Sequence, residues 1–191
     1  MFHISIDDDL ELRLLEEADT AALFGLIDRN RAHLRRWLPW VDGTVVPADT
    51  TAFIEHSLQQ FESNRGFQAG IWYRGTLVGV IGYHPIDWQN RQVEIGYWLG
   101  AGAQGHGVMT RACGALVDYA IYDLGLNRVQ IRCATGNTRS CAVPQRLGFI
   151  REGVQLQAEW LYDHFVDLEV YRMLDREWRR LAPRQEETAA E

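Results

Sequence analysis

The sequence contains no lysine, so all 19 of its basic side chains are arginines, and they are outnumbered by 26 acidic side chains. The formal net charge of −7 argues against a broad nucleic-acid surface, which would need clustered Lys and Arg. We therefore expect no nucleic-acid partner. The acidic balance would suit an amine or a basic peptide substrate through electrostatic steering, although solubility explains it more simply.

Cysteine and long apolar runs are also scarce. The chain has three cysteines without a CxxC spacing, which argues against a disulfide framework and fits a reducing cytoplasm. Its six histidines show no zinc-type pairing, so we expect no metal site. No apolar run approaches membrane-spanning length, and the first residues lack the basic start and apolar run of a signal peptide. These absences predict a cytoplasmic protein with no membrane partner.

The residues that are present suffice for one folded unit. The chain has 191 residues, of which 47% are hydrophobic, and it includes seven tryptophans. This composition predicts a single domain over residues 1–180. The polar segment 181–191 is expected to be a disordered tail.

Hydrophobic periodicity divides the chain into strands and helices. It predicts strands at residues 10–15, 67–73, 76–83, 93–99, 128–133, 149–153, 160–161 and 166–174. Helical spacing predicts helices at residues 16–30, 49–63, 108–124 and 140–146, with a short helix or turn at 31–40. Strands that precede and follow helices in this order predict a mixed α+β sheet.

The most informative segment lies between the strand at 93–99 and the helix that begins at Val108. It contains Gly100, Gly102, Gly105 and Gly107. Glycines have no Cβ atom to block a ligand, and the helix behind them begins with unpaired N–H groups and the positive end of its dipole. Together these features predict an anion site, most often a phosphate site.

Two phosphate-binding patterns fit this segment. From residue 100 it reads G-x-G-x-x-G, a dinucleotide fingerprint, and from residue 104 it reads Q-x-x-G-x-M, which approximates the acetyl-coenzyme A motif Q/R-x-x-G-x-G/A. The dinucleotide interpretation needs an acidic residue after the next strand, but residues 134–136 include no carboxylate. Arg132 could serve a 2′-phosphate instead. An NADP-binding oxidoreductase is therefore an alternative that the context disfavours.

These residues carry a family resemblance. The chain resembles the GNAT superfamily of acyl-coenzyme A-dependent N-acetyltransferases, and within it the RimJ/RimL-type branch of ribosomal-protein N-terminal acetyltransferases. The resemblance covers residues 10–180 and rests on Glu94-Ile-Gly-Tyr-Trp-Leu, Gln104-Gly-His-Gly-Val-Met-Thr, Leu126-Asn-Arg-Val, Asn137-Thr-Arg-Ser140, Arg146-Leu-Gly-Phe149-x-x-Glu152-Gly and Ala158-Glu159-Trp160. It implies a mostly antiparallel seven-stranded sheet that is splayed at a cofactor cleft and flanked by helices.

The expected cofactor is acetyl-coenzyme A, held mainly by backbone groups. The amides expected to hold its pyrophosphate belong to Gln104, Gly105, His106, Gly107, Val108, Met109 and Thr110. The resemblance implies that the preceding strand pairs with the pantetheine arm. This places Trp98, Leu99 and Gly100 beside the thioester, where an N–H near Leu99 would serve as oxyanion donor. It also makes coenzyme contacts of Ser140 and of Asn137, whose simpler role is a helix cap.

The resemblance also implies an acid and a base. Many members carry a tyrosine two residues before Arg146, but Pro144 stands there in this chain, and the RimL-type proton donor maps onto Ser140. A hydroxyl bonded to backbone at a helix start explains Ser140 equally well, and a thiolate can also leave unprotonated. The base maps onto Glu159, acting through water on the amine, with a solvated edge-strand carboxylate as the alternative. Weaker candidates are His84, Glu94 and Tyr97.

The acceptor side is less defined. Trp37 and Trp40 fall where the family's acceptor wall lies, and with Tyr97 they are the candidate substrate contacts, although two tryptophans around a proline usually pack in a core. The expected reaction moves an acetyl group to a primary amine, with a protein N-terminus as first choice. A small amine (polyamine, aminoglycoside or amino acid) and a non-catalytic coenzyme A-binding module are the alternatives. Since dimers are common among the relatives, a homodimer is an open alternative to a monomer.

Overall fold

The computed structural model describes residues 2–182. These residues form an eight-stranded sheet in the order β1-β2-β3-β4-β5-β6-β8-β7. The strands are β1 (His3–Asp7), β2 (Leu10–Leu14), β3 (Phe67–Tyr73), β4 (Thr76–Tyr83), β5 (Gln92–Leu99), β6 (Arg128–Ala134), β7 (Ile150–Leu161) and β8 (His164–Leu174). Every neighbouring pair is antiparallel except β5 and β6, which run parallel.

The helices connect the strands and cover both faces of the sheet. They are α1 (Thr20–Arg29), α2 (Arg31–Leu34), α3 (Pro47–Glu62), α4 (Val108–Asp118), α5 (Thr138–Arg146) and α6 (Asp175–Leu181). A π-helical turn at Tyr119–Asp123 continues α4, and short 3-10 turns occur at Glu17–Asp19, Val41–Gly43 and Ala101–Ala103. None of the helices between residues 2 and 182 is long and apolar enough to cross a membrane.

The mixed α/β fold is confirmed, but the expected number of seven strands is wrong. The added strand is β1, whose residue His3 pairs with Arg13 of β2 and whose five-residue length gives a weak periodic signal. At the other end, three expected strands merge into the two long strands β7 and β8. The predicted tail at residues 183–191 lies outside the described residues, and Leu181, expected to belong to it, is the last residue of α6.

Helix α3 begins two residues before the position expected from Asp49. The reason is that Asp49 is not the N-cap residue, a position that Val46 occupies. Its carboxylate reaches back instead and accepts hydrogen bonds from the amides of Val45 (2.7 Å) and Val46 (2.9 Å). Pro47, whose missing N–H costs nothing at a first helical position, then opens the helix.

The two faces of the sheet carry separate apolar clusters. One cluster packs under α4 and includes Val93 and Ile95 of β5. The other packs under α1 and α3 and includes Leu23, Ile54 and Val80, with Trp98 packed against it. Because successive strand residues point to opposite faces, β5 presents Glu94, Gly96 and Trp98 to the α1/α3 side.

The sheet opens in the middle of β5. From Ile95 to Leu99, β5 pairs with β4, whereas its pairing with β6 covers only Gln92–Glu94. Beyond Glu94 the two parallel strands separate, which leaves the β6-facing N–H and C=O groups of residues 95–99 with no strand partner among residues 2–182. The expected splay is therefore present, and it exposes backbone groups at the centre of the sheet.

Candidate active site

The glycine-rich turn that follows β5 needs glycine at two positions. Gly105 (φ 84°) and Gly107 (φ 70°) adopt the left-handed conformation, which side chains with a Cβ atom rarely tolerate. A Cβ atom added at either position would meet nothing within 4 Å. The requirement at both glycines is therefore the backbone conformation and not the space around it.

This conformation presents a row of backbone donors at the start of α4. Gly107 precedes the helix without a side-chain cap. In the described part of the chain, the amides of residues 105–110 have no hydrogen-bond acceptor, and the ladder of α4 begins with the bond from the Arg111 amide to the Gly107 carbonyl (3.1 Å). Consecutive free N–H groups at a helix N-terminus form an anion site.

Gln104 differs from the residues that follow it. Its amide donates to the Ala101 carbonyl (3.3 Å), so this N–H is already used. Its side-chain amide lies 3.1 Å from Nε2 of His33 and accepts a hydrogen bond from Arg139. Gln104 therefore links the turn to α2 and α5 through its side chain.

The end of β5 places one backbone donor in the gap of the sheet. The Gly100 amide donates to the Val78 carbonyl (2.8 Å) on the β4 side. Because N–H groups alternate in direction along a strand, the Leu99 amide points the other way, into the gap between β5 and β6. The side chain of Leu99 packs on the apolar cluster under α4.

Helix α5 brings Asn137 and Ser140 to the same gap. The Asn137 side chain caps the helix by accepting a hydrogen bond from the Ser140 amide (3.3 Å). Pro144 cannot donate to the Ser140 carbonyl, and the Tyr97 hydroxyl donates to it instead, at 2.9 Å. The Ser140 hydroxyl lies 3.5 Å from that of Tyr97. Burial raises the pKa of Tyr97 well above its ordinary value, so the phenol stays protonated and keeps donating.

Glu159 of β7 lies across the gap and is partly buried. Burial raises its pKa above the ordinary glutamate value, and the negative charge of Glu94 adds to this, while Arg132 and His84 act in the opposite direction. Within residues 2–182, its carboxylate makes no hydrogen bond or ion pair. Glu94, by contrast, accepts a hydrogen bond from Arg132 (2.9 Å). The two carboxylates are therefore distinct, since one is paired and the other is free.

Tyr97, Ser140 and Glu159 border a cavity of about 800 Å³ on the α1/α3 side of the sheet. It brings together seven of the residues expected from sequence: Trp37, Trp40, Tyr97, Trp98, Asn137, Ser140 and Glu159. The residues of the glycine-rich turn lie outside its wall. The cavity also contains side chains that sequence reasoning missed or ranked low, namely Thr50, Phe53, Gln68, His84, Glu94, Arg132 and Cys133.

The two tryptophans combine packing with exposure. Trp37 lies over Gly136, where an added Cβ atom would come within 3.3 Å of the indole. Trp40 packs against Trp98 with ring centroids 5.9 Å apart, yet 37% of Trp40 stays exposed. Both expected roles, packing and lining of a cleft, are therefore compatible in this wall.

The wall that carries the tryptophans is fastened to the turn between β7 and β8. The Tyr162 hydroxyl donates to the Leu38 carbonyl at 2.6 Å. The guanidinium of Arg35 lies 3.9 Å from the centroid of the Tyr162 ring and pairs with Asp42 at 2.8 Å. We call this set of contacts the Tyr162 latch. It joins segments that are more than a hundred residues apart.

The described residues contain no group of three or more His, Cys, Asp or Glu side chains that could hold a metal ion. What the structure does present is a row of free backbone donors, a splayed strand, and a cavity with an unpaired carboxylate. This combination is compatible with an acyl-transfer site.

Comparison with known proteins supports this interpretation of the site. Residues 9–150 match the model of the acetyltransferase (GNAT) domain. The chain therefore belongs to the GNAT family and is an acetyl-coenzyme A-dependent N-acetyltransferase. This sets aside the oxidoreductase and non-catalytic alternatives.

Relatives and solved structures give the same family. The chain is 38% identical to YdaF of Bacillus subtilis, a candidate ribosomal N-acetyltransferase, over 93% of this chain and 98% of that protein. It is 32% identical to the ribosomal-protein-serine acetyltransferase of Escherichia coli, over 90% of this chain and 97% of that protein. Among solved structures, it resembles RimL, a ribosomal-protein α-N-acetyltransferase in complex with coenzyme A (TM-score 0.88, 28% identity, 91% of this chain and 99% of that one). It also resembles the self-immunity acetyltransferase MccE in complex with acetyl-coenzyme A and AMP (TM-score 0.85, 30% identity, 88% and 94% of the two chains).

Proposed function

We propose that this enzyme acetylates the N-terminal amine of a protein, with a ribosomal protein as the first candidate. The observation that carries the proposal is the unpaired carboxylate of Glu159 in a cavity that meets the splayed end of β5. The cavity extends to aromatic side chains that stay partly in solvent, Trp40 (37% exposed) and Phe53 (40% exposed). Such a rim suits a polypeptide that enters end first. The names of the two sequence relatives support a ribosomal acceptor.

The proposed coenzyme site uses backbone groups on the α4 side of the gap. The amides of residues 105–110 would hold the pyrophosphate, and the free edge of residues 95–99 would pair with the pantetheine arm. The thioester would then lie beside Trp98 and Gly100, with Asn137 near the arm. The Leu99 amide would stabilise the oxyanion that forms on the thioester carbonyl.

In the proposed reaction, Glu159 removes a proton from the amine, directly or through one water. The amine nitrogen attacks the thioester carbon, and the tetrahedral intermediate collapses with cleavage of the carbon–sulfur bond. The Ser140 hydroxyl would then protonate the leaving thiolate, and solvent would return a proton to Ser140 and take up the proton held by Glu159. A raised pKa brings the Glu159 carboxyl nearer to the working pH, which improves general-base catalysis.

The setting of the enzyme is also a proposal. We infer that it acts in the cytoplasm, without a nucleic-acid or membrane partner, and that two copies associate as a homodimer. Strand β7 supports the dimer because it lies at the edge of the sheet and carries exposed apolar side chains, including Leu156 (76% exposed) and Trp160 (52% exposed). Sedimentation at several concentrations tests this association.

A screen that follows thiol release from acetyl-coenzyme A tests the acceptor. It would compare a peptide with a free N-terminus, the same peptide with a formylated N-terminus, a polyamine, an aminoglycoside and a free amino acid. We expect thiol release only with the free peptide. Turnover with the polyamine or aminoglycoside, but not with the peptide, would replace the proposal by the small-amine alternative.

A further inference from the structure

The proposed reaction releases a proton in every turnover. A protein N-terminus is mostly an ammonium group at neutral pH, and its nitrogen keeps a single hydrogen in the amide product. Two protons therefore leave the nitrogen, and the thiol that departs accounts for one of them. The other proton has to reach the solvent from Glu159, which is only partly exposed.

His84 lies on the floor of the same cavity, in a space that Gly96 provides. Its amide donates to the Glu94 carbonyl at 2.9 Å, which fixes the end of β4 against β5. A Cβ atom added at Gly96 would come within 2.7 Å of Nε2 of the His84 ring. Gly96 has no left-handed φ, so what requires glycine here is the space that the imidazole occupies.

The ring of His84 is free to exchange protons. Among residues 2–182, neither of its nitrogens makes a hydrogen bond or ion pair, whereas the rings of His3, His33 and His164 each contact a polar side chain. His84 borders the cavity and is also exposed to solvent. An imidazole can take up a proton on one nitrogen and release a proton from the other, close to neutral pH.

The remaining charged side chains of the cavity wall are less suited to accept a proton from Glu159. Asp49 is bonded to backbone amides, and Glu94 is paired with Arg132, whose guanidinium has no acceptor. Burial raises the pKa of Glu159, and a positive charge on His84 acts in the opposite direction. His84 and Glu159 therefore interact electrostatically across the cavity.

We propose that His84 carries the proton from Glu159 to the solvent. This inference rests on the proposed function, in which Glu159 takes a proton from the acceptor amine. The imidazole accepts that proton, directly or through water, and becomes an imidazolium, while Glu159 returns to its carboxylate form. Release of a proton from the other ring nitrogen to bulk water restores the neutral imidazole. Each transfer moves one proton and changes no other bond.

The first test compares wild type, His84→Ala and His84→Gln at one fixed pH. Thiol release is measured with saturating acetyl-coenzyme A and the peptide with a free N-terminus. Both variants should lower kcat about tenfold, less than the loss of the base itself, because water can replace the imidazole only in part. The KM for the peptide and the Kd of acetyl-coenzyme A should not change.

Added imidazole separates proton transfer from a structural role. The missing ring of His84→Ala leaves a solvent-accessible space, so imidazole in the buffer should restore part of its kcat and leave the wild type unaffected. His56→Ala is the matched control, since His56 is an exposed histidine of α3 outside the cavity wall. Its kcat should equal that of the wild type with and without imidazole.

A double-mutant cycle tests whether His84 acts through Glu159. In a Glu159→Gln background no proton arrives for His84 to carry, so His84→Ala should cause little further loss of kcat. Since His84 is exposed, its variants should melt like the wild type. Should His84→Ala fail to fold, His84→Gln takes its place in the cycle.

The outcomes are distinct. An unchanged kcat in the His84 variants, an effect confined to the KM for the peptide, or losses that multiply in the double mutant would each overturn proton transfer through His84, while turnover of the peptide by the wild type upholds the proposed function. If the wild type acetylates the polyamine and not the peptide, the proposed acceptor is wrong, and the same measurements with the polyamine decide the role of His84.

Discussion

The Tyr97 hydroxyl donates a hydrogen bond to the Ser140 carbonyl across 2.9 Å. This contact exists because Pro144, four residues after Ser140, has no N–H to offer that carbonyl. It ties the splayed part of β5 to the first turn of α5. The position of the Ser140 side chain in the gap therefore depends on Tyr97.

Removal of the Tyr97 hydroxyl should destabilise the protein. In Tyr97→Phe the Ser140 carbonyl loses its donor, which should lower the free energy of unfolding by about 1–2 kcal/mol in urea denaturation. In a Pro144→Ala background, residue 144 regains an N–H that can bond to the same carbonyl. The cost of Tyr97→Phe should then shrink, and strictly additive effects in this double-mutant cycle would contradict the explanation.

Replacement of Glu159 tests the proposed base. Glu159→Gln should lower kcat by roughly 10²–10⁴-fold and leave the Kd of acetyl-coenzyme A unchanged. Because the base must be ionised, kcat/KM of the wild type should fall as the pH drops through the raised pKa of Glu159. The comparison variant is Glu94→Gln, which removes the partner of Arg132 instead. Unchanged turnover in Glu159→Gln at saturating amine would show that Glu159 is not the general base.

The same substitution should stabilise the fold. A carboxyl group whose pKa is higher in the folded than in the unfolded state disfavours folding when ionised, at pH values above the folded pKa. Below the ordinary pKa of glutamate both states are protonated and the penalty disappears. Glu159→Gln should thus melt at a higher temperature than wild type at pH 7 to 8, and the difference should vanish near pH 4. Melting curves across this range would check it.

The glycines of the turn should differ in their effect on coenzyme binding. Gly107→Ala forces a Cβ atom into a left-handed conformation, at about 1–2 kcal/mol, or moves the donor amides out of place. Calorimetry should show weaker acetyl-coenzyme A binding. Gly102 offers the matched control, because it has free space and no left-handed φ. Equal Kd values for Gly107→Ala and Gly102→Ala would contradict the role of the conformation.

The Tyr162 latch should affect the acceptor more than the coenzyme. Tyr162→Phe removes the bond to the Leu38 carbonyl but keeps the ring under Arg35. We expect the KM for the acceptor to rise several-fold, in line with about 1 kcal/mol, with kcat and the acetyl-coenzyme A Kd unaltered. Tyr162→Ala, which also removes the ring, should have the larger effect. A change confined to coenzyme binding would rule out the latch as a support of the acceptor wall.

Local features of the site were accessible from sequence. The glycine-rich turn and the helix that begins at Val108 each depend on a few neighbouring residues, and the structure shows both. The local hydrophobic pattern did not predict strand β7 correctly. Gln157 has φ 48° and the pairing with β8 shifts between Gln155 and Glu159, so the alternation of side chains breaks and one long strand resembled two short ones.

Non-local features could not be read in this way. The ion pair of Glu94 and Arg132 requires the pairing of β5 with β6, which no single segment encodes. Thr50 resembles any helix-start threonine until α3 is placed over the sheet. The latch joins Leu38 to Tyr162 across 124 residues.

The cavity wall includes the guanidinium of Arg132, and the sequence contains no lysine. A guanidinium has no nucleophilic lone pair to offer a thioester. A lysine at this position would compete with the substrate for the acetyl group. By using arginine throughout, the enzyme carries positive charge in this cavity and has no side-chain amine that its own chemistry can modify.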